Sequence, residues 1–98
     1  MSGARQLLIV DDDLWSLRAV APAMRRLGWD VRTSTEPIDP EPGEAVLTDW
    51  HPHGPEMLRR APNAVVYTAS PGSVPAGHRV VNKCDGSSYL DAALRGAS

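Results

Sequence analysis

The stretch Leu7-Leu8-Ile9-Val10-Asp11-Asp12-Asp13 decides the fold of this chain, because an unbroken apolar run ends there at three carboxylates. Short apolar runs of this kind are typical of strands buried on both faces, as in parallel sheets. The acids therefore follow the carboxyl end of a strand, where open α/β sheets bind ligands. Adjacent carboxylates repel one another, and a hard cation such as Mg²⁺, which prefers oxygen ligands, relieves that repulsion. We expect one of the three acids to cap the following helix.

Three later segments repeat the pattern of a short apolar strand that ends at a polar or charged side chain. They are residues 45–49, 64–68 and 79–83, which end at Asp49, Thr68 and Lys83. Residues 30–35 alternate in polarity and predict a half-exposed strand. Because these strands are separated by helices or by loops in their place, the pattern predicts a parallel sheet with all carboxyl ends along one edge.

The side chains expected at that edge form a coherent chemical set. Carboxylates can hold a metal ion, and one carboxylate can act as a nucleophile. A hydroxyl and an ammonium group can stabilise the oxygens of a phosphoryl group. The residues that could supply these groups are Asp11, Asp12, Asp49, Thr68 and Lys83.

The segments between the strands differ in character. Apolar residues at three- and four-residue spacing from Leu14 to Leu27 predict a helix that ends at Gly28. Pro55 begins a short helix between the segments 45–49 and 64–68, and the last helix lies near the C-terminus. Residues 36–43 and 69–78 are rich in proline and glycine and are predicted to be loops.

Composition excludes several classes of protein. The 98 residues predict one small domain spanning 1–98, with a formal net charge of −2 that argues against direct binding of nucleic acid. The one cysteine, Cys84, cannot form an internal disulfide, and we expect a reducing, cytoplasmic location. No apolar run approaches the roughly 20 residues of a membrane-spanning helix. The first six residues do not resemble a secretory signal.

The sequence resembles the receiver domain of two-component response regulators. The segments that carry the resemblance are Ile9-Val10-Asp11-Asp12-Asp13, Val46-Leu47-Thr48-Asp49-Trp50, Val66-Tyr67-Thr68-Ala69 and Val81-Asn82-Lys83. The resemblance implies a flavodoxin-like, doubly wound five-stranded parallel sheet with strand order 2-1-3-4-5. The spacings between the motifs are shorter than usual in the family, which implies that the second and fourth helices are reduced to loops.

The resemblance also implies a function. Asp49 would accept a phosphoryl group from a histidine kinase or a phosphotransfer protein. Asp11, Asp12, Asp49 and the backbone carbonyl of His51 would bind Mg²⁺, and Thr68 and Lys83 would contact the phosphoryl oxygens. Such a domain is not an enzyme beyond phosphorylating and dephosphorylating itself, and it acts in signal transduction through a downstream protein partner.

The chain departs from the family pattern near the site. The loop after Asp49 is shorter, Cys84 follows the lysine where proline is usual, and Val80 replaces the aromatic residue of the last strand. One alternative is therefore a degenerate receiver that binds a partner without phosphorylation, and another is a metal-dependent phosphohydrolase. A zinc site is disfavoured because the candidate ligands fit no standard spacing; these are His51, His53, His78 and Cys84.

The missing helices suggest a further expectation about assembly. The apolar strands need cover on both faces, yet only a short helix near residues 55–61 remains for one of them. A few hundred Å² of bare apolar surface would mark an interface. The sequence therefore predicts a homodimer or a tight partner, joined through the sheet face that lacks helices.

Overall fold

The computed structural model describes residues 5–97, in which five strands alternate with helices and loops. The elements are β1 (Arg5–Val10), α1 (Leu14–Arg26), β2 (Trp29–Ser34), β3 (Ala45–Thr48), α2 (Gly54–Arg60), β4 (Val65–Thr68), β5 (Arg79–Asn82) and α3 (Ser87–Ala97). The strands pair in parallel in the order β2-β1-β3-β4-β5, which confirms the predicted topology. Residues 1–4, most of the stretch that we interpreted as lacking a secretory signal, lie outside the described residues.

Both ends of α1 follow from local sequence signals. Asp13 is the N-cap: its Oδ1 accepts a hydrogen bond of 3.0 Å from the amide of Trp15, and its Oδ2 accepts one of 3.1 Å from Ser16 Oγ. The helix continues through Pro22. Gly28 has a φ of +97° directly after the C-cap, a conformation that residues with a Cβ rarely adopt. Asp13 therefore caps the helix, and Asp11 and Asp12 remain available for the site.

Helices α1 and α3 cover one face of the sheet. The apolar side chains of this face form the larger core cluster, in which the indole of Trp29 donates a hydrogen bond of 2.7 Å to Asp91 of α3. This bond joins β2, at one edge of the sheet, to α3. The cluster comprises Leu7, Ile9, Leu17, Ala21, Met24, Trp29, Val31, Leu47, Val65, Tyr67, Val81, Leu90 and Leu94.

Helix α2 and the loop between β2 and β3 cover the other face. Met57 of α2 is fully buried against the strands, and Leu58 and Ile38 pack beside it. The strand residues Leu8, Val10, Val46 and Val66 are all buried. The expectation of a large bare apolar area on this face is therefore wrong for the described residues. The homodimer, which was argued from that area, has no support from burial and stays untested.

Ion pairs fasten the loop that replaces the second helix of the fold. Residues 35–44 contain no helix, and the guanidinium of Arg32 makes two bonds, of 2.7 and 2.8 Å, to the carboxylate of Glu44. At its middle, Asp39 forms an ion pair of 2.9 Å with Arg60 of α2. The region of the missing fourth helix holds only one 3₁₀ turn, Pro71–Ser73. Both reductions of helix to loop are confirmed, and within residues 5–97 no helix has the length and apolarity to cross a bilayer.

Candidate functional site

Two acids of the predicted site are brought together by strand pairing. Asp11 and Asp49 follow the neighbouring strands β1 and β3, and the amide of Asp49 bonds to the carbonyl of Val10 at 3.0 Å. Asp12 follows Asp11, and carboxylate oxygens of the three acids lie within 4.8 Å of one another. Asp11 is 1% exposed and Asp49 is 3% exposed, whereas Asp12 is open to solvent. The site therefore has two buried carboxylates at its floor and one at its rim.

The carboxyl group of Asp49 is held by the backbone. Its Oδ1 accepts a hydrogen bond of 3.2 Å from the amide of His53, and its Oδ2 accepts one of 3.4 Å from the amide of Asp12. Burial, and after it the nearby charge of Asp11, raises the pKa of Asp49 to about 6, although both amide bonds oppose the rise. A positive charge in the site would remove this penalty on the ionised form.

Asp11 uses both of its oxygens. Oδ1 accepts a hydrogen bond of 2.9 Å from the amide of Asp13. Oδ2 accepts two hydrogen bonds, one of 2.5 Å from the hydroxyl of Tyr67 and one of 3.3 Å from Lys83 Nζ. The same ammonium group lies 3.3 Å from Ser16 Oγ and 4.8 Å from the centre of the Tyr67 ring. Burial and the bond to Asp11 raise the pKa of Tyr67, so the phenol stays protonated and donates.

Sequence reasoning missed Tyr67 as a site residue, because it stands among apolar residues of β4 and its ring lies in the larger core cluster. One signal could have revealed it. Successive strand residues point to opposite faces, so Tyr67 and Thr68 face different ways at the carboxyl edge. A tyrosine hydroxyl that is buried at this edge needs an acceptor, and the buried carboxylate of Asp11 is within its reach.

The two remaining predicted groups lie at the same edge. Thr68 ends β4 and pairs with Asn82, the residue before Lys83. Its hydroxyl accepts a hydrogen bond of 3.1 Å from the amide of Ser70, so its proton can still be donated. His51 is exposed in the turn after Asp49, and its backbone carbonyl as a metal ligand stays a prediction.

The shortened loop after Asp49 is closed tightly. The amide of Gly54 bonds to the carbonyl of Trp50 at 2.8 Å, and the indole of Trp50 lies directly against this glycine. A Cβ at position 54 would approach Trp50 Cε3 to 2.5 Å and the carbonyl oxygen of Asp49 to 2.9 Å. Glycine at this position therefore lets the loop bring the amide of His53 to the carboxylate of Asp49.

The donor set suits a hard divalent cation. Within residues 5–97 the three acids are the one group of three potential metal ligands found close together, and the histidines and Cys84 form no such group. Carboxylate oxygens with room for water are the ligands that Mg²⁺ prefers. The carboxylates supply negative charge that a dication would neutralise, so the residues fit the metal that the resemblance implies.

Comparison with known proteins agrees with the topology. No protein-family model and no curated protein sequence matches the chain. The structure is similar to the crystal structure of the signal receiver domain of an HD domain-containing protein from Pseudomonas fluorescens Pf-5. The TM-score is 0.69, the alignment covers 99% of this chain and 88% of that one, and 18% of the residues are identical. The chain therefore has the fold of a signal receiver domain.

Proposed function

We propose that this protein is a receiver that accepts a phosphoryl group on Asp49. The observation that carries the proposal is the position of the Asp49 carboxylate, which is 3% exposed and lies beside the buried Asp11 and the exposed Asp12. A structural aspartate at a loop does not require two further acids around it. A nucleophilic carboxylate with a metal site does require them.

The chemistry follows from the groups at the sheet edge. An oxygen of Asp49 attacks the phosphorus of a phosphohistidine, a P–O bond forms, the P–N bond breaks, and its electron pair returns to the imidazole, which takes up a proton. Asp11, Asp12, Asp49 and the backbone carbonyl of His51 would hold Mg²⁺, which when bound would supply positive charge near the phosphoryl oxygens. Lys83 and Thr68 donate hydrogen bonds to the same oxygens.

The biological role that we infer is signal transduction through protein partners. A histidine kinase or a phosphotransfer protein is the proposed donor, and a downstream protein is the proposed receiver of the signal. The protein itself would contribute only self-phosphorylation and loss of the aspartyl phosphate. A cytoplasmic location, expected from the single cysteine, belongs to the same proposal.

The test is incubation with acetyl phosphate and Mg²⁺, followed by intact mass measurement. We expect the wild type to gain one phosphoryl group, and Asp49→Asn and Asp12→Asn to gain none. A gain that persists in Asp49→Asn would place the phosphate elsewhere. A wild type that never gains mass, with acetyl phosphate or with a phosphorylated kinase, would favour the alternative of a phosphorylation-independent interaction module.

A further inference from the structure

A buried tyrosine shares one oxygen of the candidate metal site with the lysine. Tyr67 is 2% exposed, and its hydroxyl lies 2.5 Å from Asp11 Oδ2, the oxygen that Lys83 Nζ contacts at 3.3 Å. We propose that Tyr67 is a positioning residue, which holds Asp11 in place when Lys83 leaves it for the phosphoryl group. The inference rests on the proposed function, in which Lys83 makes that move.

The hydrogen bonds of Asp11 show why a second donor is needed. Among the described residues, Oδ2 has two donors, Tyr67 and Lys83, while Oδ1 has only the amide of Asp13. A carboxylate offers about four acceptor positions, so Oδ2 is saturated and Oδ1 keeps one position for a further ligand. The arrangement fixes which oxygen of Asp11 remains available.

Without a second donor, departure of Lys83 would leave the buried carboxylate of Asp11 with an unpaired oxygen. Asp11 is 1% exposed, so water cannot replace a lost donor at Oδ2, and a buried acceptor without a partner is costly. The lysine side chain, in contrast, is 29% exposed and lies at the edge of the sheet. Tyr67 cannot follow it, because its ring is enclosed by the larger core cluster. The hydroxyl of Tyr67 therefore remains hydrogen-bonded to Asp11 Oδ2 when Lys83 departs.

A stability cycle tests this sharing without any phosphoryl transfer. Tyr67→Phe and Lys83→Met each leave Oδ2 with one donor, and the double variant leaves it with none. We expect modest decreases in melting temperature for the single variants and a decrease in the double variant that exceeds their sum by several degrees. Additive decreases would overturn the proposal, because they would mean that neither donor compensates for the other. Tyr89→Phe is the matched control, since this tyrosine is 63% exposed.

A kinetic measurement separates positioning from a purely structural role. At saturating Mg²⁺, Tyr67→Phe should slow phosphorylation of Asp49 by acetyl phosphate at least about fivefold. In this variant Oδ2 of Asp11 has no donor once Lys83 moves to the phosphoryl group. The dissociation constant for Mg²⁺, measured by Trp50 fluorescence, should change less than about threefold, since Oδ1 is unaffected. Equal effects on both quantities, or none on the rate, would refute the role. If the wild type takes no phosphoryl group, the proposed function fails, and the stability cycle still decides whether Tyr67 and Lys83 share Asp11.

Discussion

Replacing Asp49 with asparagine should stabilise the metal-free protein at neutral pH. The folded protein keeps the proton of Asp49 up to about pH 6, whereas the unfolded chain releases it near its ordinary pKa of 3.8. The contribution of this group to stability is therefore fully present below about pH 4 and is lost as the pH rises through about 6. The rise of this pKa from 3.8 to about 6 lowers the free energy of unfolding of the wild type by about 3 kcal/mol at pH 7.5.

Asparagine removes this penalty but loses part of the local hydrogen bonding. The two carboxylate oxygens accept from the amides of Asp12 and His53, and the asparagine side chain offers only one acceptor oxygen. The lost bond offsets about 1 kcal/mol. The expected net gain for Asp49→Asn is therefore about 2 kcal/mol at pH 7.5 and close to zero or negative at pH 4.

Urea unfolding of both proteins with a chelator present, at several values of pH from 4 to 8, measures this difference. Adding millimolar Mg²⁺ should then narrow this difference, because the ion stabilises the folded wild type by RT ln(1 + [Mg²⁺]/Kd) and Asp49→Asn lacks a ligand; the order reverses once the ion exceeds about 30 times its Kd. An unchanged or lower stability of Asp49→Asn at pH 7.5 without metal would refute the reasoning. A difference that does not depend on pH would assign the effect to packing instead of charge.

Three further predictions concern the loop after Asp49 and the ion pair of Arg32 with Glu44. Gly54→Ala should cost about 1–3 kcal/mol in urea unfolding, because its Cβ collides with the Trp50 ring and the Asp49 carbonyl, whereas Gly72→Ala, with no atom within 4 Å of the new Cβ, should cost far less. Trp50→Phe should remove the fluorescence change on adding Mg²⁺ while calorimetry still detects binding; a change that survives would come from another tryptophan. Glu44→Gln should cost about 1–2 kcal/mol at pH 7, allowing for solvent at the partner Arg32, which is 41% exposed. This arginine lowers the pKa of Glu44, so the greater stability of the wild type is present above the ordinary pKa of 4.5 and should disappear as the pH falls through the pKa of the folded protein. Urea unfolding of both proteins at pH 7 and pH 3 would show this loss.

The sequence alone determined the strands, their order of appearance and the edge that carries the acids. An apolar run followed by Asp11, and a second one followed by Asp49, are local patterns that report burial and strand ends directly. Parallel pairing of the strands then places both acids at one edge without further information. The predicted set of acids lies together for this reason, and Asp13 caps α1 because N-capping depends on neighbouring residues only.

Contacts between distant residues needed the tertiary structure. The bond from Tyr67 to Asp11 spans 56 positions, and it depends on strand order and on the reach of one side chain. The pairs of Arg32 with Glu44 and of Asp39 with Arg60 fasten a proline-rich loop over the second face, where composition suggested bare surface. Such pairs leave no periodic trace, because a charged residue on a loop has the same pattern whether solvent or a partner receives it. Periodicity therefore fixed the sheet and its edge, and long-range side-chain geometry decided how the site is held and how the core is closed.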